Sequence, residues 1–159
     1  MAYIIKIDNK LRDSLKETLD RNGSTLKRRP YYYGVSYKSK MILIPLRSNC
    51  PHSSYSLRIY NLNKPNSGMD FCKMIILDKS EFSNLTEKSF VEYKTMKDIY
   101  RKKEIINQLV FKTICDYKRM INKKKYKIDL TKEESYLNKR STLVNYIDFI
   151  MDENSFKLT

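Results

Sequence analysis

The chain has 159 residues, of which 41% are apolar, and 32 Lys and Arg outnumber 18 Asp and Glu to give a net charge of +14. This length predicts one domain over residues 1–159, and no apolar run approaches the roughly 20 residues that a membrane span needs. Three cysteines without a CxxC pair and a single histidine give no zinc pattern. We therefore expect a cytoplasmic protein without metal or cofactor.

The charge is unevenly distributed along the chain. Residues 1–52 carry 11 basic and 4 acidic groups and residues 88–127 carry 13 and 4, whereas residues 53–87 are neutral and residues 128–159 have a net charge of −2. Two basic blocks around a neutral centre predict a polyanionic partner, most often a nucleic acid. A solvated basic face without any partner is the alternative.

The N-terminal segment predicts a strand followed by a helix. Residues 2–7 alternate loosely and are rich in β-branched side chains, which favours a strand. Asp8 or Asn9 can cap the helix, and Asn22-Gly23 can end it. Its apolar positions repeat every four residues, at Leu11, Leu15 and Leu19.

Four further strands are predicted before residue 80. They cover residues 31–37, 41–46, 55–60 and 69–78. Residues 38–40 form a hairpin turn between the first two, and Gly34 marks a bulge or a close backbone approach. Strands joined by short loops predict an α+β fold, in which a strongly twisted antiparallel sheet, or a partly closed barrel, is surrounded by helices.

The second half of the chain is predicted to be helical. Apolar residues follow helical spacing from Met96 to Ile121, which predicts one helix of about seven turns. Ser141 can cap a last helix. Its inward positions would be Leu143, Val144, Ile147, Ile150 and Met151.

The segment between Pro45 and His52 is the best candidate for a functional site. It follows the apolar run 41–44 and carries Arg47, Ser48, Asn49 and the only histidine of the chain. A guanidinium offers a planar fork to phosphate, and an imidazole can exchange a proton near neutral pH. The same residues are also good turn formers, which is the alternative interpretation.

These residue types suit RNA cleavage without a metal. The 2′-hydroxyl must be deprotonated, the leaving oxygen protonated and the charge on phosphorus stabilised. We expect Arg47 to neutralise the phosphate, Ser48 to donate to a non-bridging oxygen and His52 to shuttle the proton. Glycine fingerprints of phosphate-binding loops and a G-x-S-x-G motif are absent, and Asp70, Asp78 and Glu81 suit turns and caps better than metal binding.

Two further groups of residues are candidates for RNA binding. Tyr31, Tyr32 and Tyr33, beside Arg28 and Arg29, could stack on splayed bases, although about half of the ring faces will belong to the core. The second group is basic and lies in the long helix. It comprises Lys118, Arg119, Lys123 and Lys124. These residues form either a docking rim for an RNA backbone or ordinary cations at a helix C-terminus.

The order of these motifs resembles the toxin proteins of bacterial type III toxin–antitoxin systems, the ToxN family, and most of all its CptN branch. A strand with Tyr-Tyr-Gly-Val leads through a hairpin to the most specific part of the resemblance. That part is Ile44-Pro45-Leu46-Arg47-Ser48-Asn49 with His52. It is followed by Ser67-Gly68-Met69-Asp70-Phe71-Cys72-Lys73, and then by Ser141-Thr142-Leu143. The resemblance extends from about residue 30 to residue 150.

The resemblance implies a metal-independent endoribonuclease that leaves a 2′,3′-cyclic phosphate. It implies inhibition by a small repeated RNA antitoxin, folded as pseudoknots and processed by the toxin, in a ring-like protein–RNA assembly. The implied catalytic residues are Arg47, Ser48 and His52, with Asn49, Asp70 and Lys73 nearby. The chain departs from the family where Cys50 occupies the position of a catalytic lysine, so that either His52 or Lys73 would take its role.

Two other functions remain open from the sequence. A non-catalytic RNA-binding protein would need only the basic blocks and the tyrosines. A basic protein that docks on acidic proteins or anionic membranes would use the amphipathic helices, but it leaves the tyrosine-rich sheet without a role.

Overall fold

The computed structural model describes residues 4–8, 10–11, 29–37 and 39–152, which form an α+β fold around a seven-stranded sheet. The strands are β1 (Ile4–Ile7), β2 (Tyr31–Tyr37), β3 (Lys40–Arg47), β4 (Ser56–Arg58), β5 (Gly68–Asp70), β6 (Ile75–Asp78) and β7 (Thr86–Lys88). The helices are α1 (Lys79–Leu85), α2 (Tyr93–Arg101), α3 (Lys103–Lys125), α4 (Lys132–Arg140) and α5 (Ile147–Met151). Short 3-10 helices lie at Phe71–Lys73 and Thr142–Tyr146.

Strand β3 is the centre of the sheet because it alone pairs with three other strands among the described residues. Strand β2 pairs along one edge, while β6 and then β5 pair along the other. The order is β4-β5-β3-β2-β1-β7, and all pairs are antiparallel. Strands β4 and β7, at the two ends of this path, do not pair with each other in the part of the chain that is described, so the partly closed barrel is not confirmed.

The predicted hairpin between β2 and β3 is confirmed. Tyr37 pairs with Lys40 across the turn, whereas Lys38 lies outside the described residues. The register shifts between Tyr32 and Val35, and a Cβ on Gly34 would overlap the Tyr32 side chain. The predicted irregularity at Gly34 is therefore also confirmed.

The predicted N-terminal helix is described only at its first turn. The Asp8 carboxylate accepts a hydrogen bond from the Leu11 backbone N–H at 2.9 Å, as expected of a helix cap. Leu15, Leu19 and the predicted end at Asn22-Gly23 lie outside the described residues.

Residues 69–78 do not form the single strand that their apolar run predicted. The Asp70 carboxylate accepts a hydrogen bond from the Cys72 N–H at 3.1 Å and caps the turn at Phe71–Lys73. This turn separates β5 from β6, so that the two strands pair with successive parts of β3. The prediction was wrong here because hydrophobicity does not reveal a side chain that competes for a backbone N–H.

The long helix predicted between Met96 and Ile121 is divided at Lys102. The Lys102 backbone ends α2, and its ammonium donates to the Asp98 carboxylate at 2.9 Å and to the Arg58 carbonyl at 2.8 Å. Helix α3 continues to Lys125. Of its apolar positions, Ile106, Val110, Ile114 and Tyr117 are buried, whereas Ile121 is only partly buried.

The sheet is buried on both faces, which explains the continuous apolar run in β3. Ile42 and Ile44 join the core under α3, while Leu43 joins a second core with β1 and β6. Alternate residues of a strand point to opposite faces, so a strand that is covered on both sides has no polar face. Tyr31 and Tyr32 are buried on opposite sides for the same reason.

The last predicted helix begins at its predicted cap but in another form. The Ser141 hydroxyl accepts a hydrogen bond from the Leu143 N–H at 3.0 Å and opens a 3-10 helix, which α5 follows. Leu143 and Ile150 are buried as predicted, whereas the inward position predicted for Val144 is wrong, because Val144 is 46% exposed. Among the described residues, no helix combines the length and apolar character that crossing a membrane requires.

Candidate active site

Three short strand segments place two arginines on one face of the sheet. Gly68 of β5 pairs with Arg47 of β3 on one side and with Arg58 of β4 on the other. Residues paired across antiparallel strands point to the same face, and two strand spacings of about 4.8 Å separate the two arginine backbones by about 10 Å. Ser56 pairs with Asp70, which is two residues from Gly68 and so shares this face. The strand predicted at 55–60 thus contributes only three residues to the sheet.

Gly68 lets the chain after β3 cross back over these strands. The Cys50 N–H donates to the Asn66 carbonyl at 2.9 Å, which holds the crossing segment against the start of β5. A Cβ at Gly68 would lie 2.8 Å from the Leu57 carbonyl oxygen and 3.1 Å from the Cys50 Cβ. Only a residue without a side chain leaves room for this approach.

The crossing segment brings His52 to Arg58. The Arg58 Nη2 donates to the exposed His52 Nε2, and its Nη1 donates to the Pro65 carbonyl at 3.1 Å. A guanidinium can only donate, so this contact requires the tautomer of His52 that carries the lone pair on Nε2. The two side chains line a cleft of about 210 Å³. The other lining residues are Cys50, Pro51, Ser53, Ser56, Leu57, Ser67 and Gly68.

Arg47 is held beside this cleft by Asp70. Its Nη1 lies 2.8 Å from the Asp70 carboxylate, whose other oxygen caps the turn at Cys72. The Arg47 side chain is 17% exposed and the Asp70 side chain 5%. Asp70 therefore positions Arg47 and is not itself open to a ligand.

The pKa of Cys50 reports the electrostatics of the cleft. Burial and the nearby Asp70 carboxylate raise the pKa of this thiol to about 11, while Arg47, Arg58 and Arg29 lower it. One carboxylate and three guanidiniums thus act on the Cys50 thiol at the cleft floor. A phosphate in the cleft would be attracted by Arg58, which lines it, whereas Asp70 partly offsets the charge of Arg47.

Helix α4 packs against the segment that carries His52. The Ser54 hydroxyl donates to Glu133 at 2.7 Å, and the Tyr136 ring stacks on Tyr55 with ring centroids 6.5 Å apart. Burial raises the pKa of Tyr136, and a hydrogen bond with the Ser53 side chain opposes this effect. The loop of the cleft is therefore fixed by α4 as well as by the sheet.

The structure does not bring all of the predicted residues to His52. Ser48 and Asn49 are exposed, and neither lines the cleft. Lys73 ends the 3-10 helix and does not line it either. Tyr33 is half-buried with its ring 5.0 Å from that of Phe82, and Arg28 lies outside the described residues.

Base stacking on the other two predicted tyrosines is excluded by burial. Tyr31 is 0% exposed and Tyr32 is 3% exposed. The sequence could not assign these rings to the core, because β2 is covered on both faces only at its first two residues and its pattern does not mark where this cover ends.

The basic residues near the end of α3 are partly neutralised by the protein itself. Lys123 donates to the Glu134 carboxylate at 2.7 Å and Arg119 donates to it at 3.2 Å. Lys124 donates to the Asn138 side chain at 2.9 Å. Among the described residues, Lys118 has no ion-pair partner. At least two of the four predicted RNA-binding cations thus also join α3 to α4.

Arg58, Ser53, Ser56 and Tyr136 are site residues that the sequence did not predict. The alternation in residues 55–60 does place Ser56 and Arg58 on one face of a strand. The sequence does not show the register of β4 against β5, which places Arg58 beside Gly68 and opposite His52. Tyr136 gives no local signal, because its role comes from the packing of α4.

Neither the chemistry of the site nor comparison with known proteins identifies the chain. No group of three His, Cys, Asp or Glu residues that could hold a metal ion occurs within the described parts of the chain. No protein-family model and no curated protein matches the sequence. The proposed function therefore depends on the geometry of the cleft and on the motif resemblance.

Proposed function

We propose that this protein is a metal-independent endoribonuclease, the toxin of a type III toxin–antitoxin system of the ToxN family, CptN branch. The observation that carries the proposal is the contact between His52 and Arg58 in an open cleft, with Arg47 in the same row of the sheet. A proton acceptor beside two phosphate-binding guanidiniums is what 2′-hydroxyl attack on RNA requires.

In the proposed reaction, His52 acts as the base. Its Nε2 takes the proton of the 2′-hydroxyl, the 2′-oxygen attacks phosphorus, and the bond from phosphorus to the 5′-oxygen breaks. The imidazolium returns the proton to the leaving 5′-oxygen, so that the products are a 2′,3′-cyclic phosphate and a 5′-hydroxyl. The substrate must be RNA, because DNA lacks the nucleophile.

Arg58 has two successive partners in this mechanism. Before RNA binds, its guanidinium occupies the Nε2 of His52. A phosphate offers it a charge-assisted bond, which is stronger than a bond to a neutral imidazole. Entry of the phosphate would thus turn Arg58 toward the anion and release Nε2 for its role as a base.

Of the two candidates for the family's lysine role, the proposal favours His52 over Lys73, because only His52 lines the cleft. The donor role predicted for Ser48 stays a prediction, because Ser48 does not line the cleft, whereas Ser53, Ser56 and Ser67 do. Arg47 does not line the cleft either, and it is assigned to the phosphate from beside it, with Asp70 as its positioning residue.

The proposed partners are cellular RNA and a small pseudoknot RNA antitoxin in the cytoplasm. The net charge of +14 supports an RNA partner, and the resemblance alone supports the pseudoknot repeats and a ring-like assembly. Tandem repeats of a few tens of bases upstream of the gene would support the antitoxin, and their absence would count against it.

Cleavage assays with His52→Ala test the mechanism. We expect this variant to lose about 100-fold to 10,000-fold in cleavage rate, because general acid–base catalysis contributes that much, and to keep its affinity for RNA. Arg58→Gln should lose about 100-fold or more as a phosphate donor is removed. Lys73→Met is the matched comparison for the alternative base and should cleave like the parent.

Substrate and product chemistry provide the controls. An RNA with a single 2′-deoxy nucleotide at the cleaved position should resist cleavage, and a chelator should not reduce the rate. Undiminished cleavage by His52→Ala, or loss of cleavage in Lys73→Met alone, would contradict the assignment.

A non-catalytic RNA-binding protein is the second candidate function. It is favoured because the side chains proposed for catalysis already contact other side chains of the protein. His52 contacts Arg58, and Arg47 donates to Asp70. If the parent protein binds RNA but yields no 2′,3′-cyclic phosphate and does not inhibit growth, this second function is correct.

A further inference from the structure

Helix α2 carries a groove whose lining is both aromatic and basic. The groove has a volume of about 200 Å³. Its lining residues are Tyr32, Tyr93, Met96, Lys97, Ile99, Tyr100 and Lys103. Tyr93, Lys97 and Tyr100 lie four and three residues apart and therefore share one face of the helix.

The exposure of these rings is unusual for a folded protein. Among the described residues, Phe90, Tyr93 and Tyr100 are the three most exposed large apolar side chains, at 78%, 76% and 72%. All three lie within eleven consecutive residues. Tyr93 and Tyr100 line the groove whereas Phe90 does not, and exposed rings that line a groove mark a binding surface more often than isolated ones do.

The opposite face of α2 fixes the groove next to the cleft. The Thr95 hydroxyl donates to the Tyr60 carbonyl at 2.8 Å, and the Asp98 carboxylate accepts from the Tyr60 N–H at 2.9 Å. Lys102 donates to the carbonyl of Arg58, which is a cleft residue. The backbone of the cleft strand is thus clamped by the helix whose outer face bears the groove.

The charges of the groove are complementary to a phosphate backbone. Among the described residues, neither Lys97 nor Lys103 has an ion-pair partner. The carboxylate of Asp98 is already bound by Arg101 and Lys102. The exposed acids nearest in sequence are Glu92, which precedes α2, and Glu104, in the first turn of α3.

The spacing of the two tyrosines fits stacked bases. Seven residues at about 1.5 Å each place their backbones about 10 Å apart along the helix. Successive bases of a strand are about 3.4 Å apart, so this distance corresponds to about three stacking intervals. Two bases can therefore be held between Tyr93 and Tyr100, with Lys97 midway for a phosphate.

We propose that this groove binds single-stranded RNA, holding unpaired nucleotides of the substrate beside the cleft in which another nucleotide is cleaved. The inference depends on the proposed function in one respect, since the bound strand is taken to be the nuclease's substrate. Duplex RNA is excluded by the same geometry, because its bases are already stacked and paired.

Binding of a labelled single-stranded RNA of about twelve nucleotides tests the proposal. Measurements use His52→Ala as the parent, so that the RNA stays intact. Tyr93→Leu and Tyr100→Leu keep apolar area but remove the ring, and each should weaken binding about 10-fold. Lys97→Gln should reduce the slope of log affinity against log salt by about 0.7.

Phe90→Leu is the matched control, because Phe90 is equally exposed but does not line the groove. This variant should leave the affinity for RNA within about twofold of the parent, because a ring outside the groove does not stack on the bound bases. The substituted rings are exposed, so the thermal midpoints should not change.

Several outcomes would overturn the inference. Among them are leucine variants that bind as well as the parent, an equal loss with Phe90→Leu, and an equal loss for duplex RNA. A dimer that the leucine variants abolish would assign the groove to a second copy of the chain. If the variants lose affinity but the wild-type chain cleaves no RNA, the groove assignment stands and the proposed nuclease function fails.

Discussion

Glu134 is buried between α3 and α4, and its replacement by glutamine tests how the protein uses its charges. Burial by itself would raise the pKa of Glu134. Hydrogen bonds outweigh this effect and lower the pKa from 4.5 to about 2; their partners are Lys123, the Thr131 backbone and side chain, and Arg119. A pKa difference of this size corresponds to about 3 kcal/mol. Solvent screening at the two cations reduces the loss expected for Glu134→Gln to about 1–2 kcal/mol at neutral pH.

The sign of the pH dependence follows from the lowered pKa of Glu134. A carboxylate with a pKa below its unfolded value stabilises the fold above about pH 4.5, and this contribution is lost as the pH falls toward about 2. The difference in unfolding free energy between the parent and Glu134→Gln should therefore be largest near neutrality and should vanish in acid.

Urea unfolding followed by circular dichroism measures this difference across the acidic range. Glu133→Gln is the matched control, because it removes the same charge from a side chain that is 54% exposed. The reasoning is refuted if the two variants lose equal stability, or if the loss in Glu134→Gln does not depend on pH.

Two further predictions concern the floor of the cleft. Gly68→Ala should destabilise the protein by about 1–3 kcal/mol and lower cleavage in the folded fraction, because its Cβ would lie 2.8 Å from the Leu57 carbonyl. Urea unfolding measures the change in stability, with Ser67→Ala as the control. Stability equal to that of the parent would contradict the prediction. Cys50, with its pKa raised to about 11 from 9.0, should be alkylated by iodoacetamide about 100-fold more slowly than an ordinary thiol. Asp70→Asn should speed the alkylation of Cys50, because it removes a carboxylate that raises the pKa of this thiol. Mass spectrometry measures the alkylation rate, and an unchanged rate would contradict the prediction.

Much of the secondary structure could be predicted from the sequence because local chemistry decides it. The β2–β3 hairpin, the irregularity at Gly34 and the cap at Ser141 each depend on a few adjacent residues. The breaks at Phe71–Lys73 and Lys102 were missed, since each is stabilised by side-chain bonds that the apolar pattern does not encode.

The candidate site could be predicted only in part. Arg47 ends strand β3 and His52 follows it by five residues, so a local motif was enough to select them. Arg58 was missed because its place beside His52 depends on the register of β4 against β5. Tyr136 was missed because it reaches the loop through the packing of α4.

The sequence by itself determined the charge excess, the α+β class and the segment 45–52 that carries Arg47 and His52. These follow from composition, periodicity and short-range turn chemistry, which act between neighbours in the chain. Only the tertiary structure decided which cations face the cleft and which, like Lys123, are bound by the protein's own carboxylates. Such pairings join residues that are distant in sequence, and strand register and helix packing bring them together.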